Sequence, residues 1–230
     1  VVIAKPLHTF ARHAYKARFG LTLGKHLKIP KPNGPSFMSE TNLSLPQSLG
    51  EKARAALGRR NIVFVGLMGA GKSAIGRSVA QQLRIPFVDT DDEIERVSRM
   101  TISELFASYG EEEFRALETR VIKRLLRGGP KVVSTGGGAF INENTRRHIK
   151  RGGVSLWLKA DLEVLWERVN KRDHRPLLKT ENPKATLAAL MEKRYPIYCD
   201  ADITIESRDV RKDIIATEVL EAIASLTKKA

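Results

Sequence analysis

Hydrophobic and polar positions along the chain follow two rhythms. Short, largely apolar runs recur at Asn61–Val65 (NIVFV), Pro86–Asp89, Lys131–Ser134, Val154–Leu158 and Ala201–Ile205. Between them lie stretches with helical spacing. Lys72–Leu83 is one. Thr101-Ile102-Ser103-Glu104 has capping-box spacing and predicts a helix from Ile102 to Tyr109, stopped by Gly110. Glu111–Leu126 sets Phe114, Leu117, Val121 and Leu125 on one face, and Gly128-Gly129-Pro130 ends it. Asn182-Pro183 reads as N-cap plus first-turn proline, opening a helix that reaches Arg194 and breaks before Pro196. Lys171–Thr180 (KRDHRPLLKT) carries proline and scattered charge, so it reads as a loop. Strands alternating with helices predict an α/β fold with a five-stranded parallel sheet between two helical layers. The strands are too short and apolar to be half exposed, which fits burial on both faces.

Composition changes this picture little. The chain has 230 residues, 42% hydrophobic and 29% charged, as a globular domain with an appendage would. No run approaches the ~20 apolar residues that cross a bilayer, so no membrane role is expected. One cysteine, Cys199, excludes an internal disulfide framework and a multi-cysteine zinc site, and suits the cytoplasm.

Charge changes it more. The net charge is +14, yet residues 1–38 hold seven basic residues and no acidic one. Half the excess therefore lies in a sixth of the chain. The same region contains the cluster Ile29-Pro30-Lys31-Pro32-Asn33-Gly34-Pro35, which continues neither helix nor central strand. Residues 1–60 are expected to be a basic, loosely ordered extension, with a short helix at Gln47–Leu57 ending at Gly58. Residues 61–230 are expected to form the working domain. Met38 is a plausible second start, and the extension could also be a targeting peptide or a nucleic-acid-binding arm.

The chemistry begins at Gly66-Leu67-Met68-Gly69-Ala70-Gly71-Lys72-Ser73, which matches the phosphate-loop pattern at every fixed position. A strand precedes it and a helix follows, the context the pattern requires. Glycines let the backbone wrap a phosphate with its N–H groups inward, and the helix N-terminus adds positive partial charge. Gly69, Ala70, Gly71, Lys72, Ser73 and Ala74 are therefore the candidate ATP contacts. Lys72 would neutralise the β and γ oxygens, and Ser73 could ligate Mg2+.

Other residues are ambiguous alone. Asp89 and Asp91 end a strand at the carboxyl edge where α/β sheets bind ligands, but Asp91 or Asp92 could simply cap the next helix. If the strand continued, both side chains would point the same way. Arg115 could be a surface arginine paired with Glu111 or Glu118, and Arg194 a cation favoured by a helix C-terminus. Phe106 and Phe114 suit either a pocket wall or a core. Gly136-Gly137-Gly138 is more glycine than a turn needs, which suggests backbone close to a ligand. Arg175 sits in a basic loop where a lid arginine would be. Arg168 reads as a helix-surface arginine with a weaker claim to the adenine side. His148 and His174 have no partners at metal-ligand spacing. Trp157 and Trp166 read as core or pocket edge.

Taken in order, these motifs resemble shikimate kinase from Asn61 to Leu226: Asp89-Thr90-Asp91 with Ile94-Glu95, Gly110-Glu111-Glu112-Glu113-Phe114-Arg115 with Glu118, Gly136-Gly137-Gly138, Arg175-Pro176-Leu177, and Arg194-Tyr195-Pro196-Ile197-Tyr198. The resemblance implies a nucleoside-monophosphate-kinase-like phosphate-loop fold. It would have an acceptor-binding segment at about 91–118 and a mobile lid at about 171–182. It implies ATP-dependent phosphorylation of the 3-hydroxyl of shikimate, with Mg2+ and a catalytic set of Lys72, Asp91 and Arg175. Ser73 and Asp89 would serve the metal, Asp89 through water. Asp91, Gly136, Gly137 and Gly138 would meet the acceptor hydroxyls, and Arg115 and Arg194 its carboxylate, with Glu118 orienting Arg115. Arg175 would close over ATP. The expected partners are small molecules only, with the chain a monomer. The rivals are a kinase of another polyol acid such as gluconate, a non-catalytic relative, and a nucleic-acid-associated NTPase using the basic arm. Retention of Lys72, Asp91 and Arg175 argues against the second, and the third predicts ATPase stimulation by DNA or RNA.

Overall fold

A computed structural model describes residues 48–171 and 180–226. The extension up to Gln47, and the lid loop with Arg175 apart from its ends, lie outside the described residues. The elements run α1 (Leu49–Leu57), β1 (Asn61–Val65), α2 (Lys72–Leu83), β2 (Phe87–Asp89), α3 (Thr90–Ser98), α4 (Ile102–Leu125), β3 (Val132–Ser134), α5 (Glu143–Gly152), β4 (Gly153–Lys159), α6 (Leu162–Asn170), α7 (Pro183–Tyr198), β5 (Ile203–Glu206) and α8 (Lys212–Ala224). One short 3₁₀ turn, Ala139–Ile141, follows the glycine run.

All five strands are parallel in the order β2-β3-β1-β4-β5. The chain leaves β1 for the distant β2, returns through β3 to one side of β1, then crosses to β4 on the other. The carboxyl ends of β1 and β3 therefore flank the switch point at which such sheets bind ligands. β1, β3 and most of β4 are buried throughout. The two edge strands depart from the expected full burial: β2 is half-buried throughout, and β5 alternates between half-buried and exposed positions. Helices α1, α2 and α8 pack on one another in one layer, and α4, α5, α7 and the 3₁₀ turn are linked in the other.

The core has two parts. The large one joins β1, β3, β4, α2 and α8 through residues such as Phe64, Val79, Leu156, Leu158 and Leu220. A small satellite of Ile94, Leu105, Phe114 and Val121 sits between α3 and α4. The break expected at Gly110 is present: this residue has φ 78° and ψ 177° inside α4, so two helical segments meet there at an angle set by one glycine.

Three expectations need correction. The strand carrying Asp89 stops where expected, but the cap of the helix after it is not the one expected. The strand ends at Asp89, whose own carboxylate caps α3 by accepting from the Asp91 N–H, so neither Asp91 nor Asp92 is the cap. Helix α7 does not break before Pro196 but runs through it to Tyr198. The missing N–H affects only the last turn, where Tyr198 is fully buried and the phenols of Tyr195 and Tyr198 both donate to backbone carbonyls. Finally, the packed body begins before Asn61. Helix α1, with its Ser48–Glu51 capping box, buries Ala53 and Leu57 and packs against α8 and α2. It is part of the core, not of a loose extension.

Candidate active site

A cleft of about 520 Å3 opens at the carboxyl ends of β1, β2 and β3. The phosphate loop forms its floor. Gly71 has φ 90°, a conformation that favours glycine, and turns the chain into the first residue of α2. Lys72 is buried at 9% exposure and donates to the carbonyls of Gly66 and Leu67 at 2.8 and 2.9 Å, which holds its ammonium at the loop. Gly69, Gly71, Lys72, Ser73 and Ala74 line the cleft, whereas the Ala70 side chain is buried beneath the loop.

Beside Lys72, three short polar side chains converge. The Ser73 hydroxyl donates to Asp89 Oδ2 at 2.7 Å and lies 3.2 Å from the Ser134 hydroxyl. Sheet register explains this: Asp89 and Ser134 are paired across β2 and β3. Asp89 thus uses one oxygen to start α3 and the other to hold the phosphate-loop serine. The donor set is all oxygen, as a hard divalent cation demands. Because the Ser73 proton points to Asp89, Ser134 is the donor in the second contact, and one Ser73 lone pair remains available to such an ion.

The acceptor end is assembled from scattered elements around the glycine run. Asp91, in the first turn of α3, lines the cleft with Gly136 and Gly137. The Gly136 N–H donates to the buried Thr90 hydroxyl at 3.2 Å. A side chain at Gly136 would sit within 2.9 Å of Glu118 Oε1 and 3.0 Å of Asp91 Oδ1, and one at Gly138 would strike the Arg115 guanidinium at 2.4 Å. A side chain at Gly136 or Gly138 would therefore displace the carboxylates or the guanidinium from their present places.

Arg115 donates to Glu118 at 2.8 Å and to Glu111 at 3.3 Å, and its cation lies 5.1 Å from the Phe114 ring centre. The surface pairing weighed from sequence is therefore present, but Glu118 is buried at 1% exposure, so this is a braced arginine and not a solvated one. Burial disfavours the Arg115 charge, yet the Glu118 and Glu111 carboxylates outweigh it and hold the guanidinium pKa above its ordinary value. For Glu118 the balance runs the other way. Burial raises its pKa despite the attraction of Arg115, and Asp91 adds repulsion. Among the described residues its Oε1 has no hydrogen-bond partner. Phe106 and Phe114 stack at 4.4 Å, and Phe114 belongs to the satellite core, so the two aromatics are both core and a seat for Arg115. Arg194, in the last turns of α7, donates to the Gly137 carbonyl at 3.2 Å. Through the glycine run the structure brings Asp91, Arg115, Glu118 and Arg194 together.

Two features go beyond the sequence reading, in which Arg168 is a helix-surface arginine with a weaker claim to the adenine side. Arg168 is no plain surface arginine: it bridges the Gly69 carbonyl at 3.3 Å to Ser207 Oγ at 2.8 Å and the Arg208 carbonyl at 2.6 Å. The segment from Ser207 to Val210 lines the cleft beyond the carboxyl end of β5. The rule that ligands gather at strand carboxyl ends would have flagged it. Tyr198 is the second feature. Its phenol donates to the same Gly137 carbonyl as Arg194 and stands one helical turn beyond it.

Comparison with known proteins points to one family. A family model described as shikimate kinase matches residues 68–224. A shikimate kinase of Rhizobium leguminosarum bv. trifolii is 73% identical over 192 residues, covering 84% of this chain and 98% of that protein. One of Rhizobium meliloti is 66% identical over 83% of this chain and 100% of its own length. Among solved structures, shikimate kinase from Acinetobacter baumannii in complex with shikimate superposes with a TM-score of 0.72 at 37% identity, over 77% of this chain and 99% of that one.

Proposed function

This chain belongs to the shikimate kinase family and phosphorylates the 3-hydroxyl of shikimate with ATP, in aromatic amino-acid biosynthesis, and on that premise we propose how its residues divide the work. The observation that carries the reading is the continuity of one cleft, from the phosphate loop across Asp89 and Asp91 to the glycine run, with two arginines behind that run.

The backbone from Gly69 to Ala74 cradles the phosphates, and Lys72 neutralises the oxygens of the transferring group. Ser73 and Asp89 hold Mg2+, which supplies further neutralisation of the phosphate charge when bound with the nucleotide. Arg115 and Arg194 grip the acceptor carboxylate, and the Gly136–Gly138 backbone meets its hydroxyls. Two planar forks on one carboxylate fix orientation as well as charge. So gripped, the acceptor presents its reacting hydroxyl to Asp91. The carboxylate orients that hydroxyl and takes its proton as the oxygen attacks the γ-phosphoryl in line. Positioning and charge neutralisation carry most of the rate. Arg175 is the lid arginine that closes over ATP.

The catalytic unit is residues 61–230 braced by α1, and no motif lies upstream of it. We assign it to the cytoplasm as a monomer acting on small molecules, without nucleic acid. Among the described residues no helix is long and apolar enough to cross a membrane. A coupled assay for ADP release tests the reading. Release should require shikimate and Mg2+, ignore gluconate and be unchanged by DNA or RNA. Equal release with gluconate, or stimulation by nucleic acid, would overturn it.

A further inference from the structure

The Gly137 carbonyl accepts from two side chains at once, the Arg194 guanidinium and the Tyr198 phenol. A carbonyl oxygen has two lone pairs, so both donors can be served. Tyr198 is fully buried, packed against Trp157, Tyr195 and Phe140. That packing fixes where the phenol oxygen can lie. Burial pushes its pKa up to about 12, against the opposing Arg194 charge, so the phenol stays protonated and remains a donor at any working pH.

The consequence concerns the peptide joining Gly137 to Gly138. In a trans peptide the carbonyl and the following N–H point in opposite directions. With the Gly137 carbonyl pinned toward α7, the Gly138 N–H is turned away from it. Gly138 in turn lies directly under the Arg115 guanidinium, where a Cβ would collide at 2.4 Å. A glycine peptide has no side chain to set its rotation, so something outside the run must do so.

We propose that Tyr198 is a positioning residue for the acceptor site: its phenol locks the Gly137–Gly138 peptide against α7 and so fixes the seat on which both Arg115 and Arg194 rest. This deepens the functional reading above and rests on it. Without the phenol, Arg194 alone holds the carbonyl, and a carboxylate that drew Arg194 toward itself would leave that oxygen unsatisfied.

The test is Tyr198→Phe, which keeps the ring and removes only the hydroxyl. One lost hydrogen bond predicts a rise of about threefold to tenfold in the KM and Kd for shikimate. The KM for ATP and the kcat at saturating shikimate should stay within about twofold. Trp157→Phe is the packing control, since Trp157 contacts Tyr198 but its indole N–H makes no hydrogen bond among the described residues. It should lower the melting temperature and leave shikimate affinity unchanged. Arg194→Ala separates the inference from the reading beneath it. If Arg194→Ala weakens shikimate binding and Tyr198→Phe does not, the peptide lock is wrong and the carboxylate assignment stands. If neither changes it, the reading itself has failed. If Tyr198→Phe raises both substrates' KM alike, or Trp157→Phe matches its effect on shikimate, Tyr198 is only a core residue.

Discussion

The phosphate loop is one run of chain, Gly66 to Ser73, between the central strand and the helix it leads into, both in the main core. The acceptor pocket is drawn from α3, α4, the glycine run and α7, and its Arg115 side rests on the satellite core of Ile94, Leu105, Phe114 and Val121. A contiguous motif carries its own geometry, because each residue's neighbours are set by the backbone. A dispersed site borrows its geometry from the fold and must be braced piece by piece. In the acceptor pocket Glu118 does this for Arg115, and Thr90 with Tyr198 for the glycine run.

The largest expected effects come from removing one charge in each region, and their patterns should be opposite. Lys72→Ala removes a preorganised cation from the transferring phosphate, so kcat should fall by at least about a hundredfold while shikimate affinity holds. Arg115→Ala or Arg194→Ala each removes a charge-assisted pair, and the Kd for shikimate should rise at least about tenfold, with ATP binding little changed. Titration calorimetry with each ligand, beside steady-state kinetics, reads both. Equal loss of ATP affinity in the arginine variants would mean the two regions are one site energetically.

A second expected difference lies in local stability. Elements held by few buried contacts open at lower free energy than those in the main core. Amides of α3 and of α4 up to Glu118 should exchange faster than those of β1 and α2. Shikimate at about ten times its Kd should slow that segment by up to about tenfold, and less so the phosphate loop. MgATP should do the reverse. Hydrogen-exchange mass spectrometry in which both segments slow equally with either ligand would erase the distinction.

The same contrast explains what was legible in the sequence. NIVFV, the phosphate loop and the order of strands could be read directly, because apolar runs and glycine spacing are local signals. The break at Gly110 and the Thr101 cap were local too. What misled was also local. Pro196 reads as a helix stop, yet tertiary packing of Tyr195 and Tyr198 carries α7 through it. Asp91 and Asp92 read as caps, but Asp89 is better placed because α3 begins at Thr90, directly after the strand. Arg115 and Arg194 are indistinguishable from surface arginines until α4 and α7 are brought to the same glycine run. The resemblance supplied them, and the residues alone did not. The role of Tyr198 has no sequence signature of its own, because it depends on which carbonyl the fold sets beside the phenol, whereas the Ser207–Val210 segment lies past the carboxyl end of a strand that could be read.

The smallest effect is the most discriminating, because its sign differs between stability and binding. Glu118 is a buried carboxyl whose folded pKa lies above its ordinary value of 4.5, burial outweighing the pull of Arg115. As pH rises above that ordinary value, the unfolded chain releases the Glu118 proton before the folded chain does. The unfolded state then binds fewer protons, so this group's contribution to stability falls through the interval between the two pKa values and stays low above it. Glu118→Gln removes the titration while keeping an oxygen for Arg115. Relative to the parent, the variant should therefore melt higher at pH 8 than at pH 4. Binding should move the other way. A neutral amide holds Arg115 less firmly than a carboxylate, so the Kd for shikimate should rise by about twofold to fivefold, with ATP unaffected. Melting curves across pH, read beside shikimate titrations, check both. If the variant is less stable than the parent by the same margin at every pH, the ion pair dominates burial and Glu118 is an ordinary stabilising partner. If stability improves and shikimate affinity is untouched, Glu118 does not brace Arg115. A gain in one measurement with a loss in the other is the outcome expected of a buried carboxylate kept for binding at the expense of the fold.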